Sequence, residues 1–346
     1  MPDGRPYRGA IIGLGGVART AHLPGFRYDA ATRRRIEIVA AVDSDPRAAE
    51  GADIPVVSDW TELRELAGHR PLDFVDVCTP TGSHAATTVA ALAAGYHVLC
   101  EKPVALDPAQ ARTIAAAARA AGRTVMPCHQ YRFNPAWRRM REWLQGDAIG
   151  PWHLAELSVY RTAADHGAGR SAVPWRGSRQ DGAGGILLDH GTHLLYTLLD
   201  IAGPPTAVRG WTARLRHHDY DVEDTAEVVL EYPDRVATIF LTWAARHRET
   251  RVRFTGERGT IEWIGGLLRL DAAGRTETID MSAELDKAMY PAWFAELFRS
   301  FADALDLGGT VPQPLADIGQ VATLLDAAYR AAESGARVPF DPHLTA

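Results

Sequence analysis

The chain has 346 residues, 46% of them hydrophobic and 23% charged, with a formal net charge of -6. This is the balance of an ordinary globular protein long enough for two domains, and it lacks the clustered positive surface that a nucleic-acid partner requires. Cys78, Cys100 and Cys128 are odd in number and have no metal-ligand spacing, which fits a reducing cytosol. The polar start is no signal peptide, and no apolar run reaches the roughly 18 residues of a membrane span, so a cytoplasmic protein is expected.

Gly9–Ile12 is a short apolar run followed at once by Gly13-Leu14-Gly15-Gly16-Val17-Ala18. Between a strand and a helix, that glycine spacing is the dinucleotide-binding pattern. Gly13 permits the tight turn, Gly15 lets the backbone approach a pyrophosphate, and Gly16, Val17 and small Ala18 open the helix whose amides face it. Arg33-Arg34-Arg35 reads as a solvated loop or as a group near a phosphate. The next strand, Ile36–Val42, ends at Asp43, a little further past Ala18 than the usual ~20 residues. A carboxylate there would accept from the ribose hydroxyls and repel a 2′-phosphate, so NAD is expected over NADP. The plainer alternative for Asp43 is a helix N-cap, a role that Asp45 before Pro46 could also fill.

Further strands at Asp53–Asp59, Pro71–Cys78, His97–Cys100 and Thr124–Pro127 alternate with helices at Trp60–Ala67, Ala85–Ala94 and Asp107–Ala121. This alternation predicts a doubly wound parallel sheet, with ligands at the carboxyl ends of its strands. Thr79-Pro80, with His84 beyond, and Glu101-Lys102-Pro103 occupy two such ends. Lys102 could donate a hydrogen bond to a carbonyl or alcohol oxygen, or it is a surface lysine at a strand-to-helix turn.

The predicted boundary lies at residues 127/128. Gln130-Tyr131-Arg132-Phe133-Asn134-Pro135 leads into the helix Ala136–Leu144, and Trp152–Tyr160 alternates like a half-buried strand. A loop rich in glycine, alanine and arginine follows, then Trp175-Arg176 and a helix over Gly182–Gly203. Asp189 and His193, four apart, share one face of that helix. They are either a proton acceptor held by a carboxylate or a buried pair that satisfies itself. Strand-like runs from Ala207 to Ile279 predict an α+β domain with a large, mainly antiparallel, open-faced sheet, closed by helices at Tyr290–Leu307 and Leu315–Ser334. The predicted domains are thus 1–127, binding dinucleotide, and 128–346, binding substrate.

Over nearly its whole length the chain resembles the glucose–fructose oxidoreductase / inositol dehydrogenase (Gfo/Idh/MocA) family of NAD(P)-dependent sugar and cyclitol oxidoreductases. The resemblance rests on Gly13–Ala18, Thr79-Pro80 with His84, Glu101-Lys102-Pro103, Gln130–Pro135, Trp175-Arg176, and Gly184-Gly185 with Asp189 and His193. It implies that Lys102, Asp189 and His193 line the pocket. His193 would be the acid/base, Lys102 would bridge substrate oxygen and nicotinamide, and Asp189 would orient or charge-balance them. Gln130, where relatives often carry Asn, would sit near the nicotinamide. Tyr131, Arg132, Trp175, Arg176 and Tyr290 are implied substrate or cofactor contacts, though Arg132 could equally be a structural ion-pair partner.

His190 departs from the aliphatic or small polar residue usual in the family. Helical periodicity points Asp189 and His190 about 100° apart, and no third ligand is near in sequence, so no metal is expected there. His190 is expected instead to line the pocket. The implied substrate is a sugar, nucleotide sugar or cyclitol, and the open sheet face implies a homodimer or homotetramer. The family also contains glycosidases that recycle tightly held NAD and non-catalytic dinucleotide-binding regulators.

Overall fold

The computed structural model describes residues 4–67, 70–164 and 175–341. The chain divides into two compact units. The first runs to Gln130 and takes back Tyr290–Gly319; the second holds Tyr131–Met289 and, of the described residues, 320–341.

In the first unit, strands β1 (Tyr7–Ile12), β2 (Ile36–Val42), β3 (Val56–Val57), β4 (Phe74–Val77), β5 (His97–Cys100) and β6 (Val125–Pro127) form one sheet. Its order is β3-β2-β1-β4-β5-β6 and every pairing is parallel. The order reverses between β1 and β4, which places the ligand crevice at their carboxyl ends. β4 is buried throughout, as a strand covered on both faces must be. The helix Pro108–Ala121 is built as its sequence dictates. Asp107 caps it by accepting from the Gln110 amide at 2.8 Å, and Gly122 ends it in the left-handed conformation.

The helix Tyr290–Asp306 belongs to this first unit, whereas the expected division at residue 127 assigned it to the second. Its aromatic stripe explains the difference. Phe298 stacks on Phe26 at 3.7 Å between centroids, and Phe301 meets Phe74 edge-on at 5.3 Å. These residues recur at helical spacing and bury fully against strand and crossover. The junction itself falls at Gln130/Tyr131.

The second unit carries β7 (Trp152–Tyr160), β8 (Ala207–Ala213), β9 (Thr225–Glu231), β10 (Val236–Thr242), β11 (Glu249–Gly256), β12 (Gly259–Ile264), β13 (Leu267–Ala272), β14 (Arg275–Asp280) and β15 (Val338–Pro339). They pair as β14-β13-β12-β11-β7-β10-β9-β8-β15, with only β7–β10 parallel. Alternation sorts the faces. Ala155, Leu157 and Val159 on β7, Ala237, Ile239 and Leu241 on β10, and Val252 and Phe254 on β11 are buried. On the other face, ladder partners line up as Trp211, Glu227, Phe240, Ser158, Arg251, Ile264 and Leu267.

The segment expected as one helix over Gly182–Gly203 is helical from Ile186 to Ala202, with a π-type turn at Leu187–Gly191 inside it; a short turn, Arg179–Gly182, precedes it, and the residues between are not helical. The expected loop ahead of Trp175 falls mostly at 165–174, outside the described residues.

Candidate active site

The glycine loop has the geometry its spacing predicts. Gly13 holds φ +92°, and a Cβ there would come within 2.9 Å of the Cys78 carbonyl and the Thr79 amide nitrogen. Only glycine meets both demands. Cβ atoms on Gly15 and Gly16 would meet nothing within 4 Å, so the backbone on that side is open to a ligand. Val17 leads into a π-type turn at Ala18–His22, with Ala18 fully buried. Asp43 also holds the loop, because Oδ2 accepts from the Leu14 amide at 2.8 Å and Oδ1 from the Asp45 amide at 2.9 Å. Asp45, in turn, caps the short turn at Pro46–Ala49.

At the ends of β4 and β5, His84 acts as a staple. Its Nδ1 lies 2.8 Å from the Pro103 carbonyl and its Nε2 lies 2.8 Å from the Thr79 carbonyl. Burial holds this imidazole below its ordinary proton affinity. Each ring nitrogen faces a backbone carbonyl, so His84 links the Thr79-Pro80 and Lys102-Pro103 turns, its neutral ring donating to one carbonyl at a time. Lys102 is half-buried and precedes a cis proline. Glu101 is buried, with Oε2 accepting from the Lys102 amide at 3.2 Å and Oε1 lying 3.0 Å from His22 Nε2. Gln130 donates to the Tyr290 hydroxyl at 2.9 Å, while its Oε1 is buried with no hydrogen-bond partner among the described residues. A buried amide oxygen left open suits an incoming carboxamide N–H. With the open glycine backbone, it makes this half fit a nicotinamide dinucleotide.

In the second unit His193 is buried. Its Nδ1 lies 2.9 Å from the Tyr196 hydroxyl, and its ring stacks on Tyr131 with centroids 4.1 Å apart. The Tyr131 amide donates to the same hydroxyl at 3.0 Å. Tyr196 thus holds the imidazole at Nδ1, in addition to Asp189, which was expected to orient or charge-balance His193 and Lys102. The signal was present in the sequence, since Tyr196 follows His193 at the i+3 spacing of helical neighbours. Burial holds the Tyr131 phenol above its usual range, against the opposing charges of Arg161 and Arg248.

Asp189 has other company. Its Oδ1 is 3.4 Å from Arg176 Nε, and its Oδ2 is 3.1 Å from His190 Nδ1. Both Asp189 and His190 sit in the π-type turn, where these neighbouring side chains reach each other. The Arg176 guanidinium packs over Trp175 at 4.2 Å. Arg132 approaches Asp200 at 4.0 Å and Arg141 pairs with the same carboxylate at 3.0 Å, which favours the structural alternative for Arg132.

Glu223, a residue the sequence reading passed over, shapes this turn. Its carboxylate accepts from the Leu187 amide at 3.2 Å and from the Tyr329 hydroxyl at 2.8 Å. A Cβ at Gly185 would come within 2.0 Å of the Glu223 carbonyl, and one at Gly184 within 2.8 Å of the Tyr329 hydroxyl. The paired glycines are thus a packing requirement of the acid that holds the turn.

Two family models match the chain. Residues 7–129 match the oxidoreductase family with an NAD-binding Rossmann fold, and residues 137–262 match the GFO/IDH/MocA C-terminal domain. The chain is 27% identical to D-glucoside 3-dehydrogenase of Escherichia coli, covering 96% of this chain and 97% of the relative. It is 30% identical to D-apiose dehydrogenase of Paraburkholderia graminis, over 78% of this chain and 69% of the relative. Among solved structures, an Agrobacterium radiobacter oxidoreductase in complex with NAD+, L-tartaric acid and magnesium shares the fold at TM-score 0.82. Its identity is 23%, covering 96% of this chain and 98% of that one. Levoglucosan dehydrogenase in complex with NADH and levoglucosan matches at TM-score 0.80 and 22% identity, covering 97% and 99%. Both halves of the sequence therefore point to one lineage, and the chain belongs to the Gfo/Idh/MocA family of oxidoreductases.

Proposed function

We propose that the protein transfers hydride between NAD and a secondary alcohol or ketone of a sugar, nucleotide sugar or cyclitol. The observation that carries this reading is the His193–Tyr196–Tyr131 arrangement, an imidazole held by a hydroxyl and stacked under a phenol ring. With Nδ1 held by Tyr196, proton exchange falls to Nε2. The hydroxyl can donate to Nδ1 of one tautomer and accept from Nδ1–H of the other or of the imidazolium, so either state stays satisfied. His193 is thus suited to take a proton from an alcohol and to return it in the reverse direction. Lys102, at the end of β5, supplies a donor to the substrate oxygen. Asp189 balances charge beside Arg176 and His190. Bound NAD supplies the hydride acceptor. D-glucoside 3-dehydrogenase and D-apiose dehydrogenase among the relatives support a sugar as substrate.

Asp43 supports NAD over NADP, since its carboxylate stands at the end of β2 where a 2′-phosphate would meet it. The exposed Trp211, Ile264 and Leu267 of that row support a second copy of the chain as partner for that face, giving a dimer or tetramer. Light scattering at micromolar concentration should return a multiple of the monomer mass; a monomer would end that reading.

The deciding experiment is a panel of sugars, sugar nucleotides and cyclitols followed for NADH formation, with NADP run in parallel. Net NADH from a polyol is expected and would separate this reading from NAD-recycling glycoside cleavage. No reduction of NAD by any member would overturn it, and reduction of NADP in preference would overturn the role of Asp43.

A further inference from the structure

A buried group in the first unit takes no part in the reaction proposed above. His22 is fully buried, its ring clustered with those of Phe294 and Phe298 at 4.5 and 5.6 Å. Its Nδ1 lies 2.7 Å from Asp76 Oδ2 and its Nε2 lies 3.0 Å from Glu101 Oε1. A neutral imidazole has one N–H and can serve one carboxylate; two carboxylates at hydrogen-bond distance call for both nitrogens protonated. The other groups facing the ring are the Cys78 thiol, 3.4 Å from Nδ1, and the Cys128 thiol beyond β6. Lys102 and His84 act electrostatically on Glu101. Burial would strip a proton from His22, but the charges and hydrogen bonds of Asp76 and Cys78 together outweigh it, so the ring holds its proton well above the usual imidazole range.

Such a cluster is expensive to bury, and Asp76 Oδ1 has no hydrogen-bond partner among the described residues. Buried charges of this kind are rarely kept for stability alone, since apolar replacements often serve as well or better. What the cluster does is join three pieces of chain. His22 lies in the turn after the glycine loop, Asp76 on β4, and Glu101 accepts from the backbone of Lys102.

We propose that His22 is a positioning residue for Lys102, a doubly protonated imidazole that locks the glycine-loop crossover, β4 and the Glu101–Lys102 turn together. The proposal rests on the role assigned to Lys102. A metal ion is the competing occupant, because ligand atoms of His22, Asp76 and Cys128 lie within 4.8 Å of one another. The 2.7 Å separation of nitrogen and oxygen favours a shared proton. Two ligands each about 2 Å from a tetrahedral ion would stand more than 3 Å apart.

The test begins with the wild-type chain. Ring-nitrogen NMR of labelled histidine at mildly alkaline pH should show His22 with both nitrogens protonated; a neutral ring would overturn the proposal. A stoichiometric transition metal, lost in Cys128→Ala, would also overturn it. In His22→Asn, amide exchange at Glu101 and Lys102 should quicken at least about tenfold while NADH affinity holds within about threefold, as expected for displaced rather than missing contacts. With a substrate from the panel, kcat should fall about 10- to 100-fold with KM little changed. That loss should vanish in a Lys102→Ala background, and full additivity would contradict action through Lys102. Should His22→Asn fail to fold, Asp76→Asn gives the same exchange readout. The NMR and exchange arms need no substrate, so they stand apart from the fate of the proposed reaction.

Discussion

Tyr196 shows how much of the site depends on single hydroxyls. Its oxygen accepts from the Tyr131 amide and faces His193 Nδ1, so Tyr196→Phe leaves a buried N–H and an imidazole nitrogen unserved. The expected cost is about 1–3 kcal/mol of stability, with kcat lowered about tenfold as the ring loses its preferred orientation. Denaturant melts and the pH profile of kcat check this; an unchanged profile would remove Tyr196 from the proton path. At this scale the sequence was legible where a spacing rule applied. Gly13, Ala18 and Asp43 could be placed because strand, turn and helix fix their offsets. Asp76 and His22 could not, because nothing local says that an acid in the apolar run Phe74–Val77 will meet an imidazole in the first crossover.

Among the elements, the helix around Asp189 departs most from its sequence pattern, through the π-type turn inside it. The apolar run from Ile186 to Ala202 reads as one helix, and the wide turn at Leu187–Gly191 arises from tertiary packing that a local pattern cannot carry. Glu223 holds the first amide of that turn and is itself held by Tyr329. Burial raises the Glu223 carboxyl above its ordinary range. Gly185→Ala should therefore be disruptive, since its Cβ would meet the Glu223 carbonyl at 2.0 Å. A loss of about 3 kcal/mol is expected from such overpacking, and a melt within 0.5 kcal/mol of wild type, about the scatter of a neutral surface change, would contradict it. The strands of the second sheet were easier. Runs such as Val236–Thr242 and Leu267–Ala272 alternate cleanly because one face is covered and the other is not.

Over the whole molecule, the two fold classes followed from element order, while the assignment of Tyr290–Asp306 did not. A helix far along the chain returns to the first unit through Phe294, Phe298 and Phe301, a long-range contact invisible to periodicity. The same unit should show a characteristic pH response. The proton affinity of Glu101 is lowered by the hydrogen bond and charge of His22, against the effect of burial. Its contribution to stability is present above the ordinary carboxyl value of 4.5 and is lost as pH falls through the folded value. His22 runs the other way. Its contribution is full below the ordinary 6.5 and is lost as pH rises through its raised folded value. Melting temperature should therefore plateau between those limits and decline on the alkaline side less in Asp76→Asn than in the wild type; identical alkaline limbs would contradict the coupling.

The central claim is that Lys102 and His193 serve hydride transfer between NAD and a polyol. Its most direct test is the rate of NADH formation by Lys102→Ala against wild type, on the best substrate of the panel, with folding verified by melt. Turnover is expected to fall about 10²- to 10³-fold. Turnover near that of the wild type would contradict it.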